Sequence, residues 1–252
     1  MILDLFKLDG KVALVTGARR GLGLGIAEGL AQAGADIFGV GTGDMAPCKA
    51  AVEAAGRSFD GVKADLTSQA PVEYVVQSCL DRYGRIDILV NNAGIIRRAD
   101  AVDFTEQDWD DVMNVNLKSI FFLTQRVAKI MIGQNGGKVV NIASMLSYQG
   151  GIRVASYTSS KSGLMGLTRV LANEWAKYGI NVNAIAPGYM ATDNTEALRG
   201  DPVRSAEILA RIPAGRWGEP GDVAGAAVFL ASEASRYVNG FTIAVDGGWL
   251  AR

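Results

Sequence analysis

Residues 16–23 read Thr-Gly-Ala-Arg-Arg-Gly-Leu-Gly and join a short apolar run, 12–16, to a segment of helical period, 21–32. The run predicts a buried strand and the segment predicts a helix. Gly17 permits a tight turn, Gly21 lets the backbone approach a pyrophosphate, and Gly23 allows close packing of helix on strand. A glycine turn in this position, with helix N-terminal amides facing an anion, predicts a dinucleotide site.

Strand and helix patterns go on alternating to the C-terminus. This alternation predicts βαβ units around one parallel sheet, with three helices on each face. The predicted strands are 12–16, 36–40, 59–64, 86–91, 138–143, 180–185 and 241–245. The predicted helices are 21–32, 46–55, 71–83, 106–132, 155–178 and 222–232. No linker or repeat interrupts the pattern, so we expect one doubly wound α/β domain over 1–252. The one long irregular stretch is 187–217, with a helical patch near 202–211, and we expect a substrate lid at about 188–217.

The composition excludes several kinds of site. The formal net charge of −1 over 252 residues gives no field that would recruit nucleic acid. The chain has no histidine, which excludes a Ser-His-Asp triad and imidazole metal ligands, and we expect no metal site. Cys48 and Cys79 form no Cys-x-x-Cys pair, so we expect packing thiols in a reducing compartment. The opening residues lack the apolar stretch of a signal peptide and no apolar run is long enough for a membrane span, which favours a cytoplasmic protein.

A tyrosine and a lysine at helical spacing are the candidate proton-transfer groups. Tyr157 and Lys161 stand four residues apart in the predicted helix 155–178, so both side chains share one face. A free phenol has a pKa near 10, and an adjacent ammonium is expected to lower it. Ser144, at the end of the fifth predicted strand, is placed to donate to a substrate carbonyl. Asn116 lies within a predicted helix, where we expect its amide to hold a water that links Lys161 to solvent.

The end of the second predicted strand leaves the choice of dinucleotide open. An acidic residue there would bind the adenosine ribose of NAD, and a basic one would bind the 2'-phosphate of NADP. The sequence at 41–44 is Gly-Thr-Gly-Asp, which matches neither pattern. Asp44 reaching the ribose would favour NAD, which we prefer, whereas Arg20 meeting a 2'-phosphate would favour NADP. Asp65 and Leu66, after the third strand, suit an adenine contact, although Asp65 is equally suited to cap a helix.

The motifs together resemble the short-chain dehydrogenase/reductase family over essentially the whole chain. The matching motifs, in order, are Thr-Gly-x-x-x-Gly-x-Gly from Thr16, Asn-Asn-Ala-Gly from Asn91, Asn116, Ser144, Tyr157-x-x-x-Lys161 and Pro187-Gly188. The resemblance implies a Rossmann fold, a homotetramer and a catalytic tetrad of Asn116, Ser144, Tyr157 and Lys161. In that tetrad Tyr157 would be the general acid/base and Lys161 would also bind the nicotinamide ribose.

These arguments define one predicted cofactor set. It comprises Gly17, Arg19, Arg20, Gly21, Leu22, Gly23, Thr42, Asp65, Leu66, Asn92, Ala93, Gly94, Tyr157, Lys161, Pro187, Gly188 and Thr192. Its expected ligand is NAD, with NADP possible.

Several longer stretches resemble one branch of the family, bacterial dehydrogenases of small sugar acids in pectin and uronate breakdown. These stretches are 94–98, 143–153, 186–192, 211–217 and 246–252. A sugar acid needs a cation for its carboxylate, and Arg153 is the first candidate, followed by Gln149 and Arg97. The alternative for each arginine is a surface or interface salt bridge. Ser144 and Tyr157 are expected at the reacting carbon.

Two other functions stay open at this point. One is a related enzyme that uses NADP(H) with gluconate or a 3-oxoacyl thioester as substrate. The other is a nucleotide-binding scaffold that has kept the fold without the reaction. The intact set of four catalytic residues favours an enzyme over a scaffold.

Overall fold

A seven-stranded parallel sheet forms the centre of the molecule, in a computed structural model that describes residues 1–252. The strands are β1 (Val12–Thr16), β2 (Asp36–Gly41), β3 (Phe59–Lys63), β4 (Ile88–Asn91), β5 (Gly137–Ile142), β6 (Ile180–Pro187) and β7 (Thr242–Val245). They lie in the order β3-β2-β1-β4-β5-β6-β7. The order reverses between β1 and β4, which is where open α/β sheets bind their ligands.

Helices cover both faces of the sheet. They are α1 (Gly21–Gln32), α2 (Ala46–Ala54), α3 (Val72–Tyr83), α4 (Glu106–Met113), α5 (Ser119–Gly133), α6 (Ala155–Trp175), α7 (Glu196–Gly200), α8 (Pro202–Arg211) and α9 (Pro220–Ala231). One apolar core joins α1, α2 and α9 to the sheet, and a second joins α3, α5 and α6 to the opposite face. The predicted fold class, with three main helices on each face, is confirmed.

The cysteines belong to these two cores. Cys48 packs in the first core and Cys79 in the second, and both are free thiols. Burial raises the pKa of each thiol to about 12, so both stay protonated and unreactive at neutral pH. None of the helices combines the length and the apolar character that crossing a bilayer requires.

The predicted strands are all present, with boundaries displaced by at most two residues, and the main differences concern helices. The segment predicted as one helix over 106–132 is instead α4, a π-helical turn at Asn114–Lys118 and then α5. The segment 187–217, predicted as irregular with a helical patch near 202–211, contains α8 at that patch, as predicted, and α7 as an additional short helix. Asp201 starts α8, because its carboxylate accepts from the amides of Val203 and Arg204 at 3.0 Å.

A row of buried amides fixes α6 to the sheet. Asn91 Nδ2 donates to Asn141 Oδ1 at 2.8 Å across the β4–β5 pair. Asn141 Nδ2 in turn donates to Thr168 Oγ1 of α6 at 2.9 Å. All three residues are at most 1% exposed, so no water replaces a lost partner. The row therefore sets how α6 lies on β5.

Asn141→Ala should lower the free energy of unfolding by about 2–3 kcal/mol, because the cavity and the loss of both amide bonds add. Urea unfolding measures this loss. Gln32→Ala is the control, since Gln32 is an exposed amide on α1 bonded only to Glu28, and it should stay within about 0.5 kcal/mol of the wild type. An equal effect of the two substitutions would contradict the structural role of the row.

Candidate active site

One large cavity opens at the carboxyl ends of the strands. Its volume is about 700 Å³, within the range of small-molecule and cofactor sites. Residues at or just after the ends of β1, β2, β4, β5 and β6 line one wall, and α8 with the C-terminal segment lines another. The cavity thus spans the point where the strand order reverses.

The glycine turn has the geometry that its sequence predicts. Gly17 and Gly21 have φ of 67° and 55°, a conformation that favours glycine. A Cβ on Gly23 would lie 2.1 Å from the Gly17 carbonyl oxygen, so only glycine permits this close packing. Asn92 Nδ2 holds the turn by donating to the carbonyl oxygens of Thr16 and Gly17 at 2.9 and 3.2 Å. No side chain caps the N-terminus of α1, and its free amides suit a pyrophosphate.

Every member of the predicted cofactor set except Gly23 lines the cavity. Gly23 acts one layer behind it, through the packing just described. The prediction missed cavity residues such as Val40 and Ala64 at the ends of neighbouring strands. Their apolar side chains carried no signal that separated them from ordinary core residues.

The adenosine end differs from both alternatives considered for the ribose. Asp44 accepts from the amide of Ala46 at 3.0 Å and does not line the cavity, so the expectation that it reaches the ribose is wrong. Arg20 pairs with the carboxylate of Asp193. Arg19 instead packs on the turn after β2, where a Cβ on Gly43 would lie 2.9 Å from its Cδ. Arg19 is therefore the arginine that packs on the turn after β2.

Asp65 caps no helix, because α3 begins at Val72 after Pro71. Its Oδ1 accepts from the amide of Thr67 at 3.0 Å, which is a local turn contact. The residue also lines the cavity beside Leu66. One carboxylate oxygen is therefore engaged by the backbone, and the other remains for an exocyclic amine.

Ser144, Tyr157 and Lys161 meet in the wall of this cavity. Lys161 is 3% exposed, and its Nζ donates to the carbonyl oxygen of Ile142 at 2.6 Å. The same Nζ lies 5.8 Å from the centroid of the Tyr157 ring. Ser144 Oγ accepts from the amide of Leu146 at 3.1 Å, which fixes the hydroxyl at the start of the loop after β5. The i, i+4 spacing thus brings phenol and ammonium to one face, as predicted.

The two titrating groups are shifted chiefly by burial. Burial raises the pKa of the Tyr157 phenol, while the neighbouring Ser144 hydroxyl and the charge of Arg98 act in the opposite direction. The expectation that the Tyr157 pKa is lowered is wrong for the chain by itself, because burial outweighs the opposing effects of Ser144 and Arg98. Burial also lowers the pKa of Lys161 to about 8.

Asn116 lies behind the cavity wall, in the π-helical turn. Its Oδ1 accepts from the amide of Ile95 and its Nδ2 donates to the Ile95 carbonyl, both at 2.9 Å. Its Nδ2 also lies 3.3 Å from Ser160 Oγ. The amide therefore holds the loop after β4 against α6. A π-helical turn at such a position is typical of functional sites.

Two of the predicted substrate residues lie elsewhere. Arg97 pairs with Asp108 and Asp111 of α4, both at 3.3 Å, and does not line the cavity. Arg153 pairs with Asp100 at 3.3 Å, with a side chain that is 57% exposed and outside the cavity. Both predictions are corrected, and the surface salt bridge is what the structure contains. Gln149 does line the cavity.

Other arginines supply positive charge to the cavity. Arg98, Arg204 and Arg211 line it, and only Arg204 is paired with a carboxylate, that of Glu207 at 2.9 Å. Arg98 directly follows Arg97 in an irregular loop, so no periodicity indicated which of the two faces inward. Arg211 ends α8, and its cavity position depends on the packing of that helix.

The family follows from comparison with known proteins. A family model described as enoyl-(acyl carrier protein) reductase, of the adh_short_C2 type, matches residues 17–250. The chain belongs to the short-chain dehydrogenase/reductase family, and it is an oxidoreductase that uses NAD(P).

Individual relatives are similar over their full length. The chain is 63% identical to a 2-dehydro-3-deoxy-D-gluconate 5-dehydrogenase of Escherichia coli K12, over 100% of both chains. A crystal structure with bound NADP from Agrobacterium tumefaciens, described as a 2-deoxy-D-gluconate 3-dehydrogenase, is 55% identical with a TM-score of 0.93, over 99% of this chain and 100% of that one. A gluconate 5-dehydrogenase of Burkholderia cenocepacia, in complex with NADP and tartrate, is 41% identical with a TM-score of 0.94 over 100% of both.

Lys161→Met should change how stability depends on pH. The pKa of Lys161 is about 8 in the folded chain against 10.5 as the ordinary value, so between these pH values the unfolded chain binds more protons. Stability of the wild type therefore rises from pH 8 to pH 10.5, and the buried charge costs most below pH 8. A methionine removes that cost, which corresponds to about 3 kcal/mol.

The measurement is urea unfolding of both proteins at pH 7 and pH 10.5. We compare the free energy of unfolding of Lys161→Met with that of the wild type at each pH. The difference should be more favourable to Lys161→Met at pH 7 than at pH 10.5, by up to about 3 kcal/mol. Loss of the bond to Ile142 is independent of pH and cancels in this difference. Lys129→Met, on the exposed side of α5, is the control. If the free energy of unfolding changed equally between the two pH values in all three proteins, the conclusion that Lys161 is a buried charge would be wrong.

Proposed function

We propose that the chain is a dehydrogenase of a small sugar acid and interconverts a secondary alcohol and a ketone at C5 of 2-dehydro-3-deoxy-D-gluconate. The observation that carries the proposal is the meeting of Ser144, Tyr157 and Lys161 in a cavity with unpaired arginines. The full-length similarity to a 2-dehydro-3-deoxy-D-gluconate 5-dehydrogenase supports the same substrate. Such a reaction belongs to the breakdown of pectin and uronates.

Tyr157 is the proposed general acid/base. It accepts the proton of the substrate hydroxyl in oxidation and returns it in reduction. Ser144 donates a hydrogen bond to the substrate oxygen and stabilises the charge that develops there. Because burial raises the pKa of the phenol, Tyr157 is protonated at neutral pH, which favours reduction, whereas oxidation is favoured at high pH.

Lys161 and Asn116 support that proton transfer. Lys161 binds the ribose hydroxyls next to the nicotinamide, and its ammonium stabilises the phenolate when Tyr157 gives up its proton. Asn116 holds the backbone of Ile95 and, as proposed from the sequence, a water on the path from Lys161 to solvent. These four residues form the proposed tetrad.

The residues of the glycine turn fit a dinucleotide. The free amides of α1 suit its pyrophosphate, Asp65 and Leu66 suit its adenine, and Thr42 and Arg19 suit its adenosine ribose. NAD(P) supplies the nicotinamide carbon that gives or takes the hydride. Arg19 on the turn after β2 favours tolerance of the 2'-phosphate of NADP, and the NADP in the Agrobacterium tumefaciens structure supports that choice.

The remaining parts of the proposal concern organisation. The chain is proposed as one domain over 1–252, with residues of about 188–217 as a lid over the substrate. We propose a homotetramer in the cytoplasm, and an exposed apolar groove that includes Leu117, Phe121 and Leu167 is its proposed contact surface.

Two other substrates and one other function remain as alternatives. Gluconate differs from the proposed substrate at C2 and C3, and the gluconate 5-dehydrogenase of Burkholderia cenocepacia supports it. A 3-oxoacyl thioester lacks the carboxylate that unpaired arginines suit. A non-catalytic scaffold would bind the dinucleotide without consuming it.

The 5-keto sugar acid is the form of 2-dehydro-3-deoxy-D-gluconate in which the C5 alcohol has been oxidised to a ketone. The wild type should reduce this acid faster than a 3-oxoacyl phosphopantetheine thioester. Tyr157→Phe should lower kcat for the acid by about 10³-fold. Initial rates with NADH and NADPH measure both effects. The dissociation constant of the dinucleotide should stay within about threefold, since the phenol oxygen acts on the substrate. Unchanged turnover in Tyr157→Phe would contradict the assigned role, and consumption of the thioester alone would contradict the substrate.

Arg19→Gln should raise KM for NADPH about tenfold and leave KM for NADH within about twofold, because only the 2'-phosphate needs the guanidinium. Steady-state rates at saturating substrate measure both constants. Arg20→Gln should have a smaller effect, since Asp193 already neutralises Arg20. An equal loss with both dinucleotides would contradict this role of Arg19.

A further inference from the structure

The side chain of Gln149 is held by two donors on the same oxygen. Trp249 Nε1 donates to Gln149 Oε1 at 3.2 Å, and an Arg211 guanidinium nitrogen donates to it at 3.3 Å. Neither donor can accept, so the amide oxygen must face them. Gln149 Nε2 donates to no group of the chain. Gln149 therefore presents an N–H donor, not an acceptor, at the wall of the cavity.

Both donors are themselves held in place. Trp249 is 5% exposed and packs in one cluster with Met145, Ile208 and Ile212. The Arg211 guanidinium carbon lies 4.0 Å from the centroid of the Trp249 ring. Asp246 fixes the C-terminal segment by accepting from the backbone amides at positions 248 and 250. The orientation of the Gln149 amide is thus built into the fold.

The charge at this end of the cavity is positive. Arg204 is neutralised by Glu207, whereas Arg211 is paired with no carboxylate. Arg211 and Gln149 Nε2 together offer only donors, and they suit a group that has only acceptors. A carboxylate with an adjacent keto oxygen is such a group.

We propose that Gln149 and Arg211 bind the carboxylate end of the sugar acid, while Ser144 and Tyr157 hold the carbon that reacts. This inference rests on the function proposed above and adds its specificity-determining residues. In a chain that reacts at C5, the carboxyl carbon is four bonds from the reacting carbon, or roughly 5 Å when extended. The carboxylate anchor must therefore be a group other than the one that holds the reacting carbon, and Gln149 and Arg211 line the same cavity as Ser144 and Tyr157. Arg98, whose charge acts on the phenol, serves the reacting end.

Gln149→Glu is the sharpest test. It keeps an oxygen for Trp249 and Arg211, but it replaces the free donor with an acceptor and neutralises Arg211. KM for the 5-keto sugar acid should rise at least 30-fold, with kcat changed less than about threefold. KM for the methyl ester of the same acid should change less than about threefold, because the ester carries no charge. The dissociation constant of NADPH should not change.

Two further variants complete the experiment. Gln32→Glu places the same charge on the exposed end of α1 and should leave both KM values unchanged. Trp249→Phe keeps an aromatic ring but removes one donor, so the amide is free to turn, and KM for the acid should rise several-fold. Thermal unfolding checks that each variant is folded.

The outcomes separate this inference from the proposed function. If the wild type reduces the acid but Gln149→Glu raises KM for acid and ester equally, or for neither, the carboxylate anchor is overturned and the function stands. If the wild type does not reduce the acid at all, both are overturned. A selective loss for the acid supports both.

Discussion

A single buried ammonium organises the active site. Lys161 is 3% exposed and has no carboxylate partner, and the Ile142 carbonyl at the end of β5 is what holds it. A charge in that environment is costly, which is why its pKa falls to about 8. The hydrogen bond also fixes how α6 sits on β5, together with the bond from Asn141 to Thr168. The phenol one turn earlier on α6 is positioned by the same two contacts.

The loop after β4 completes that arrangement, because its backbone passes close to both the side-chain amide of Asn116 and the ammonium of Lys161. A Cβ on Gly94 would lie 3.2 Å from Asn116 Oδ1 and 3.6 Å from Lys161 Nζ. Asn116 binds the next residue, Ile95, through both backbone groups. The π-helical turn places Asn116 there at the cost of regular helix geometry. Two backbone hydrogen bonds from Asn116 thus fix this part of the cavity wall.

The fold and the meeting of Ser144, Tyr157 and Lys161 in one cavity could be predicted because their signals are local. The glycine turn, the strand periodicity and the spacing of Tyr157 and Lys161 each depend on a few neighbouring residues. The arginines that line the cavity could not be predicted, since Arg97 and Arg98 are adjacent in an irregular loop where no periodicity indicates which of them faces inward. Arg153 adopts φ of 63° and pairs with Asp100, and neither feature follows from a local sequence pattern. The direction of the Tyr157 pKa shift depends on burial, which sequence spacing does not contain.

The cavity wall formed by α8 shows why sequence patterns could not predict Arg211 as a cavity residue. Ile208 packs against Trp249 on one side of the helix, and Arg211 lies over the same tryptophan ring at 4.0 Å. The helical period predicts which residues share a face, but not which part of the protein that face meets. Here the partner comes from the C-terminal segment, far away in the sequence. The position of the Arg211 charge in the cavity wall is therefore set by tertiary packing of the last residues of the chain, and a change at Trp249 would move it without altering Asn116, Ser144, Tyr157 or Lys161.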